Sequence, residues 1–229
     1  ETVRSDRRGY FQAHLENSWQ FSTDRLWRTV RLELIQPSGK GPETVGKVFI
    51  PSRNAKFAVI SDIDDTVVFT GVANKLMMIW RLFMQKAHSR AAFPGVAAFY
   101  RALHIGSSGS EMNPMLYVSR GPWSIYEILE EFFKLHRIPA GPILFLRDWE
   151  LRIYRPLPPK ARGHKLTYIQ RALELYHELP FILIGDSGQS DPEIYAEVVR
   201  RNPGRIHSIY IRNIDPNPRS EEHTSELQS

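Results

Sequence analysis

From Phe57 onward the chain alternates short, nearly unbroken apolar runs with longer stretches whose apolar residues return every three or four positions. The short runs are Phe57–Ser61, Met115–Ser119, Ile143–Leu146, Phe181–Ile184 and Ile206–Arg212. A strand with one solvated face would alternate apolar and polar residues, so runs this continuous predict parallel strands covered on both faces. The longer stretches carry helical stripes: Ile125, Ile128, Leu129 and Phe132 within Trp123–Leu135, and Leu166, Ile169, Leu173 and Tyr176 within His164–Glu178. Pro192 suits the first turn of a helix running to about Arg201, where its missing N–H is not needed. Regular alternation of the two patterns predicts an α/β fold, a Rossmann-like, doubly wound parallel sheet flanked by helices and joined by right-handed crossovers.

Residues 1–50 follow a different rhythm. Thr29–Ile35 and Thr44–Ile50 partly alternate, and Gln36–Pro42 between them reads as a turn, which predicts a β-hairpin. Fifty residues bury too little for a core of their own, so this region is expected to be the edge of a β-rich neighbour. The last eleven residues, RSEEHTSELQS, back-translate into what resembles a sequencing adapter and are set aside as an artefact. The expected boundaries are therefore 1–50, 51–218 and 219–229. The first residue is Glu1, so a true N-terminus is expected upstream and export stays open. A cytoplasmic protein, peripheral at a membrane, is the expectation.

Composition narrows the chemistry. Hydrophobic residues make up 42% of the 229, as in a folded protein. The most apolar stretch, Leu76–Met84, carries Arg81 and is too short to span a bilayer. There is no cysteine, which excludes disulfides, thiolate metal sites and a cysteine-nucleophile phosphatase. The formal charge is +5, and without the tail, which holds one Arg and three Glu, 29 basic against 22 acidic residues give +7. A basic body suits an anionic substrate or surface, although a merely solvated face would look the same. The basic residues are scattered and do not form a run with interleaved aromatics, so no nucleic acid is expected.

In an open parallel sheet, ligands bind beyond the carboxyl ends of the strands. Four distant segments would meet there: Ser61-Asp-Ile-Asp-Asp-Thr66 after the first core strand, Ser119 closing the second, Gly185-Asp-Ser-Gly-Gln-Ser-Asp191 after the fourth, and Lys165 opening the preceding helix. Asp62, Asp64, Asp65, Asp186 and Asp191 would then lie close together. Crowded carboxylates repel, and some would hold protons unless a cation neutralised them. Oxygen ligands without sulfur favour a hard ion, Mg²⁺ first. Such a site suits phosphoryl transfer, where a metal and a lysine offset the repulsion between a carboxylate nucleophile and a phosphate.

The DxDxT run at Asp62–Thr66, the Ser closing the second strand, the lysine and the late GDSxxxD resemble the four motifs of the haloacid dehalogenase superfamily of phosphatases. Further matches are Phe93-Pro-Gly95, Tyr117-Val-Ser119 with Pro122-Trp123, Leu146-Arg-Asp148, Gly163-His-Lys165, Asp191-Pro-Glu193 and Tyr210-Ile-Arg212. Together they resemble the catalytic domain of the actin-patch phosphatidate phosphatase family and its bacterial relatives, over roughly residues 45–215. The resemblance implies that Asp62 attacks phosphorus, that Asp64 protonates the leaving alcohol and then activates water, and that Mg²⁺ rests on Asp62, Asp186 and the Asp64 carbonyl, with Asp191 in support. It also implies phosphate contacts from Ser119, Lys165 and Thr66. One departure is Arg120-Gly121, where relatives place a small hydroxyl or amide residue; Arg120 would add a phosphate contact. The implied substrate is phosphatidate, a phospholipid met at a membrane surface.

Plainer readings sit beside these. Asp65 suits a turn, Asp191 is a natural helix N-cap before Pro192, and Lys165 could be a first-turn surface lysine. His104 and His164 lack a second histidine at ligand spacing and read as structural or surface residues. Leu76–Met84 belongs to an insertion between Asp65 and Met115 that is expected to form a small cap, packing on the core or meeting acyl chains. Two competing functions remain: the same chemistry on a soluble phosphoester, and a receiver-like signalling domain. The latter would carry its phosphorylated Asp at the end of the third strand, here Leu146-Arg-Asp148, and the early DxDxT argues against it.

Overall fold

The computed structural model describes residues 2–7, 9, 11, 13, 26–36, 39–63, 95–119, 123–145, 161–187 and 190–213. Asp64, Asp65, Thr66, the Leu76–Met84 stripe, Arg120, Leu146–Asp148 and the tail lie outside them, as do the side chains of residues 124, 145 and 161–164.

Two strands, β1 (Trp27–Gln36) and β2 (Gly39–Phe49), come first. The core follows as β3 (Ala58–Asp62), α1 (Val96–Ile105), β4 (Met115–Ser119), a single 3₁₀ turn at Trp123–Ile125, and α2 (Tyr126–Leu135). It continues with β5 (Ile143–Phe145), α3 (Ala161–Leu175), β6 (Phe181–Asp186), α4 (Asp191–Arg201) and β7 (Ile206–Arg212). The five core strands form one parallel sheet in the order β5-β4-β3-β6-β7. The chain moves outward from β3 to β5, then returns to β3's other side to lay down β6. The strand order therefore reverses between β3 and β6, and an open sheet of this kind binds its ligand at that crevice.

The unbroken apolar runs have the expected cause. Successive side chains of a strand point to opposite faces. Ala58, Ile60, Leu116, Val118, Phe181 and Leu183 pack with Ile169 and Leu173 of α3 and with Ile194, Tyr195 and Val198 of α4. Val59, Met115, Tyr117, Ile182 and Ile184 pack on the other face with Tyr100 of α1 and Leu129, Phe132 and Phe133 of α2. Each fully buried aliphatic or aromatic side chain contributes about 1.5–3 kcal/mol, so burial on both faces holds the helices against the sheet. Among the described residues no helix is long and apolar enough to cross a membrane.

Three expectations need correction. Val96–Ile105 is a helix on the core sheet, with Val96, Phe99, Tyr100 and Leu103 on its inner face, so this part of the insertion is not cap. The hairpin is present, pairing Trp27 with Phe49 through Gln36 with Gly39, but Gln36 lies in β1 and Gly39–Pro42 in β2, so most of the expected turn is strand. Glycines tolerate the close strand approach there: a Cβ on Gly41 would sit 2.6 Å from the Leu34 carbonyl oxygen. Finally, β3 and β6 run one or two residues further than expected, through Asp62 and Asp186, so both carboxylates belong to strand ends and not to loops.

The opposite edge of the sheet is tied by one residue that sequence reading passed over. Asn113 is fully buried; its Oδ1 accepts from the Lys56 and Phe57 amides at 2.8 and 3.3 Å. Its Nδ2 donates to the Leu103 carbonyl and to Glu111 at 2.9 and 2.7 Å. The Asn113 carbonyl lies 2.8 Å from His104 Nδ1, which gives His104 the structural role expected of it. Asn113→Ala leaves several of these groups without partners, and we expect a loss on the order of 3 kcal/mol in equilibrium urea unfolding. A loss under about 1 kcal/mol would show that water replaces the clamp.

Candidate active site

Because β3 and β6 are parallel neighbours, Asp62 and Asp186 end at the same edge of the sheet, on either side of the reversal in strand order. Asp191, the first residue of α4, and Lys165, four residues into α3, reach the same point from the adjoining layer. Asp62, Asp186 and Asp191 each offer a carboxylate oxygen within 4.8 Å of the others, and all three are buried. Lys165 Nζ donates to Asp62 Oδ2 at 2.6 Å and to Asp191 Oδ1, and only 4% of the residue is exposed. Asp191 Oδ2 also accepts from the Asp186 amide at 3.3 Å. Ser119, fully buried, closes β4 one residue beyond the pairing of Asp62 with Val118.

Two of the plainer readings therefore fall. Lys165 is not a surface lysine, since it lies in the helix's second turn facing the sheet. Asp191 is not the N-cap; Ser190 holds that position, and the Asp191 side chain turns inward to Lys165 and the Asp186 amide. Asp64, Thr66 and Arg120 lie outside the described residues, as does the side chain of His164.

Several supporting residues were not foreseen. A Cβ on Gly185 would lie 2.2 Å from Asp191 Oδ2, so only glycine lets that carboxylate come against the strand. Ser61 Oγ donates to the Asp62 carbonyl at 3.1 Å and lies 2.6 Å from Tyr100 Oη, which pins the end of β3 to α1. The signal available for Tyr195 was its spacing: four residues after Asp191, it falls on the same face of α4.

The electrostatics are unbalanced. Three ionised carboxylates around one ammonium leave a formal −2 in a site that excludes bulk water. Burial works against the charged form of Lys165, but Asp62 and Asp191 overcome it and raise its pKa above the ordinary value. Burial pushes the Asp191 carboxyl up to about 6; Lys165 pulls it down and Asp62 raises it further. A hard divalent cation fits this donor set: oxygen atoms only, buried, close together, and with more negative charge than the lysine can offset. Asp62, Asp186 and Asp191 are the residues that could hold it.

Fold and site together define an α/β protein that gathers buried carboxylates and a lysine at the switch point of a parallel sheet, an arrangement suited to chemistry on an anionic group. Sequence comparison gives the family. Residues 57–213 match the model of the catalytic domain of phosphatidate phosphatase APP1, and the chain belongs to this family. Phosphatidate phosphatase APP1 of Saccharomyces cerevisiae is 28% identical over 193 residues, covering 83% of this chain and 32% of its own length. An uncharacterised protein of Schizosaccharomyces pombe is 28% identical over 171 residues, covering 74% of this chain and 27% of its own. The chain thus spans a third or less of the length of these relatives.

Proposed function

We propose that the chain is a Mg²⁺-dependent phosphatase that works through an aspartyl-phosphate on Asp62, with phosphatidate as substrate and diacylglycerol and inorganic phosphate as products. One observation carries the reading: the Asp62 carboxylate ends β3 at the sheet's switch point, 2.6 Å from the Lys165 ammonium and within 4.8 Å of two more carboxylates. A carboxylate so placed needs no activating base, because it is already the nucleophile.

In the first step an oxygen of Asp62 bonds to phosphorus while the ester P–O bond breaks, and Asp64 gives its proton to the departing alcohol. In the second, Asp64 takes a proton from water, the water oxygen bonds to phosphorus, and the bond to Asp62 breaks, returning the carboxylate. Ser119 and Lys165 hold phosphate oxygens throughout, with Thr66 and Arg120 assigned to the same task. Asp62, Asp186, Asp191 and the Asp64 carbonyl would hold Mg²⁺, which when bound offsets charge between the carboxylate cluster and the phosphate. The name of the yeast relative supports a lipid substrate, and the basic body of the chain suits the anionic membrane surface where such a lipid lies. We place the enzyme in the cytoplasm, peripheral at that surface.

The test is phosphate release from phosphatidate in phosphatidylcholine vesicles and from a panel of soluble phosphomonoesters, with Mg²⁺ and with chelator. We expect release that needs Mg²⁺ and favours the vesicles. Equal or faster turnover of a soluble ester would move the substrate to that class. A stable phosphoryl group on Asp148, with no turnover, would instead indicate a receiver-like domain.

A further inference from the structure

We infer that Tyr195 is a positioning residue for Lys165, its ring face holding the ammonium between the two carboxylates and toward the phosphate; the inference rests on the phosphate-binding role proposed for that lysine. The Lys165 Nζ lies 5.5 Å from the centroid of the Tyr195 ring, within the roughly 6 Å over which a ring's negative face attracts a cation. Both partners are buried, where such attraction is strongest because water does not compete.

The ring is fixed at both ends. Its backbone lies in α4, four residues after Asp191, and its hydroxyl donates to the Ile184 carbonyl of β6 at 2.9 Å. Ile184 precedes Asp186 by two residues. Tyr195 thus links the strand that carries Asp186, the helix that carries Asp191, and the lysine that arrives from α3. An aliphatic residue would fill this volume without bringing in a hydroxyl that must find a partner. Lys165 has three N–H groups, of which Asp62 and Asp191 take two. A ring that fixes the ammonium also fixes where the third can point.

A core-filling tyrosine would occupy the same place, so the test must change the ring's electronics without its shape. Tyr195→Phe is followed by phenylalanines of increasing fluorination at position 195, a series that drains the negative face at nearly constant volume. Unfolding midpoints are measured for each in chelator, with Lys165 intact and with Lys165→Met. We expect the midpoint to fall steadily along the series when Lys165 is present and to stay level with Lys165→Met. Equal trends in the two backgrounds, or no trend in either, overturn the inference. Affinity for inorganic phosphate with Mg²⁺ is the second readout, expected to weaken about tenfold from Phe to the fully fluorinated ring.

The two readings fail separately. If the wild type neither binds phosphate nor hydrolyses a phosphoester, the proposed function is lost while the midpoints still decide the Tyr195–Lys165 contact. If it hydrolyses phosphatidate and the midpoint trends do not differ, the function stands and Tyr195 is a core residue.

Discussion

Asp62→Asn is expected to lower phosphate release at least about a thousandfold while leaving the unfolding midpoint within a few degrees of wild type. The substitution keeps the shape of the side chain, and an amide oxygen does not form the bond to phosphorus that a carboxylate does. Stability should hold for an electrostatic reason. Lys165 keeps Asp191 as a partner, so no buried cation is stranded, and the cluster's formal −2 falls to −1. Loss of activity with loss of fold would say little; loss of activity with the fold intact identifies the nucleophile. Release within about tenfold of wild type would remove Asp62 from that role.

The sequence was most legible where two physical constraints acted on the same residues. Both-face burial makes a parallel strand apolar throughout, and the carboxyl edge then demands polar chemistry at a fixed point. This is why Phe57-Ala-Val-Ile60 followed by Ser61-Asp62, and Phe181-Ile-Leu-Ile184 followed by Gly185-Asp186, gave both strand and site. Lys165 and Asp191 were assigned to the site from motif order, but whether either was merely structural depended on which way a helix faces. Only the packing of α3 and α4 on the sheet decides that. Tyr195, Tyr100 and Asn113 were missed because each has a partner distant in sequence, Ile184, Ser61 and Lys56 respectively, and no local pattern marks a buried hydroxyl or amide for that task. The α1 helix lies inside the long segment between Asp65 and Met115, and an apolar helical face does not by itself tell packing on the sheet from packing in a cap.

Lys165→Met should have the largest effect on the protein itself. In chelator at neutral pH we expect it to lose about 3–5 kcal/mol of stability, because removing one partner of a buried ion pair leaves the other charges uncompensated. Here it leaves two, Asp62 and Asp191, and Asp186 beside them. The pH response has a definite sign. The Asp191 carboxyl sits at about 6 in the folded protein against an ordinary 3.8, so the folded state holds the extra proton. Its contribution is full below about pH 4 and is lost as pH rises through 6. Without the lysine that pulls this value down, the loss deepens, so the variant should recover stability on acidification from pH 7 to 5 by more than wild type does. Mg²⁺ should restore stability at pH 7 as well, since a divalent ion among the three carboxylates replaces the missing charge. Activity should stay down at least about a hundredfold even then, because the metal does not replace the hydrogen bond we propose from the ammonium to the phosphate. A variant as stable as wild type in chelator at pH 7, or one whose stability ignores both acid and Mg²⁺, would show that these carboxylates do not share one charged site.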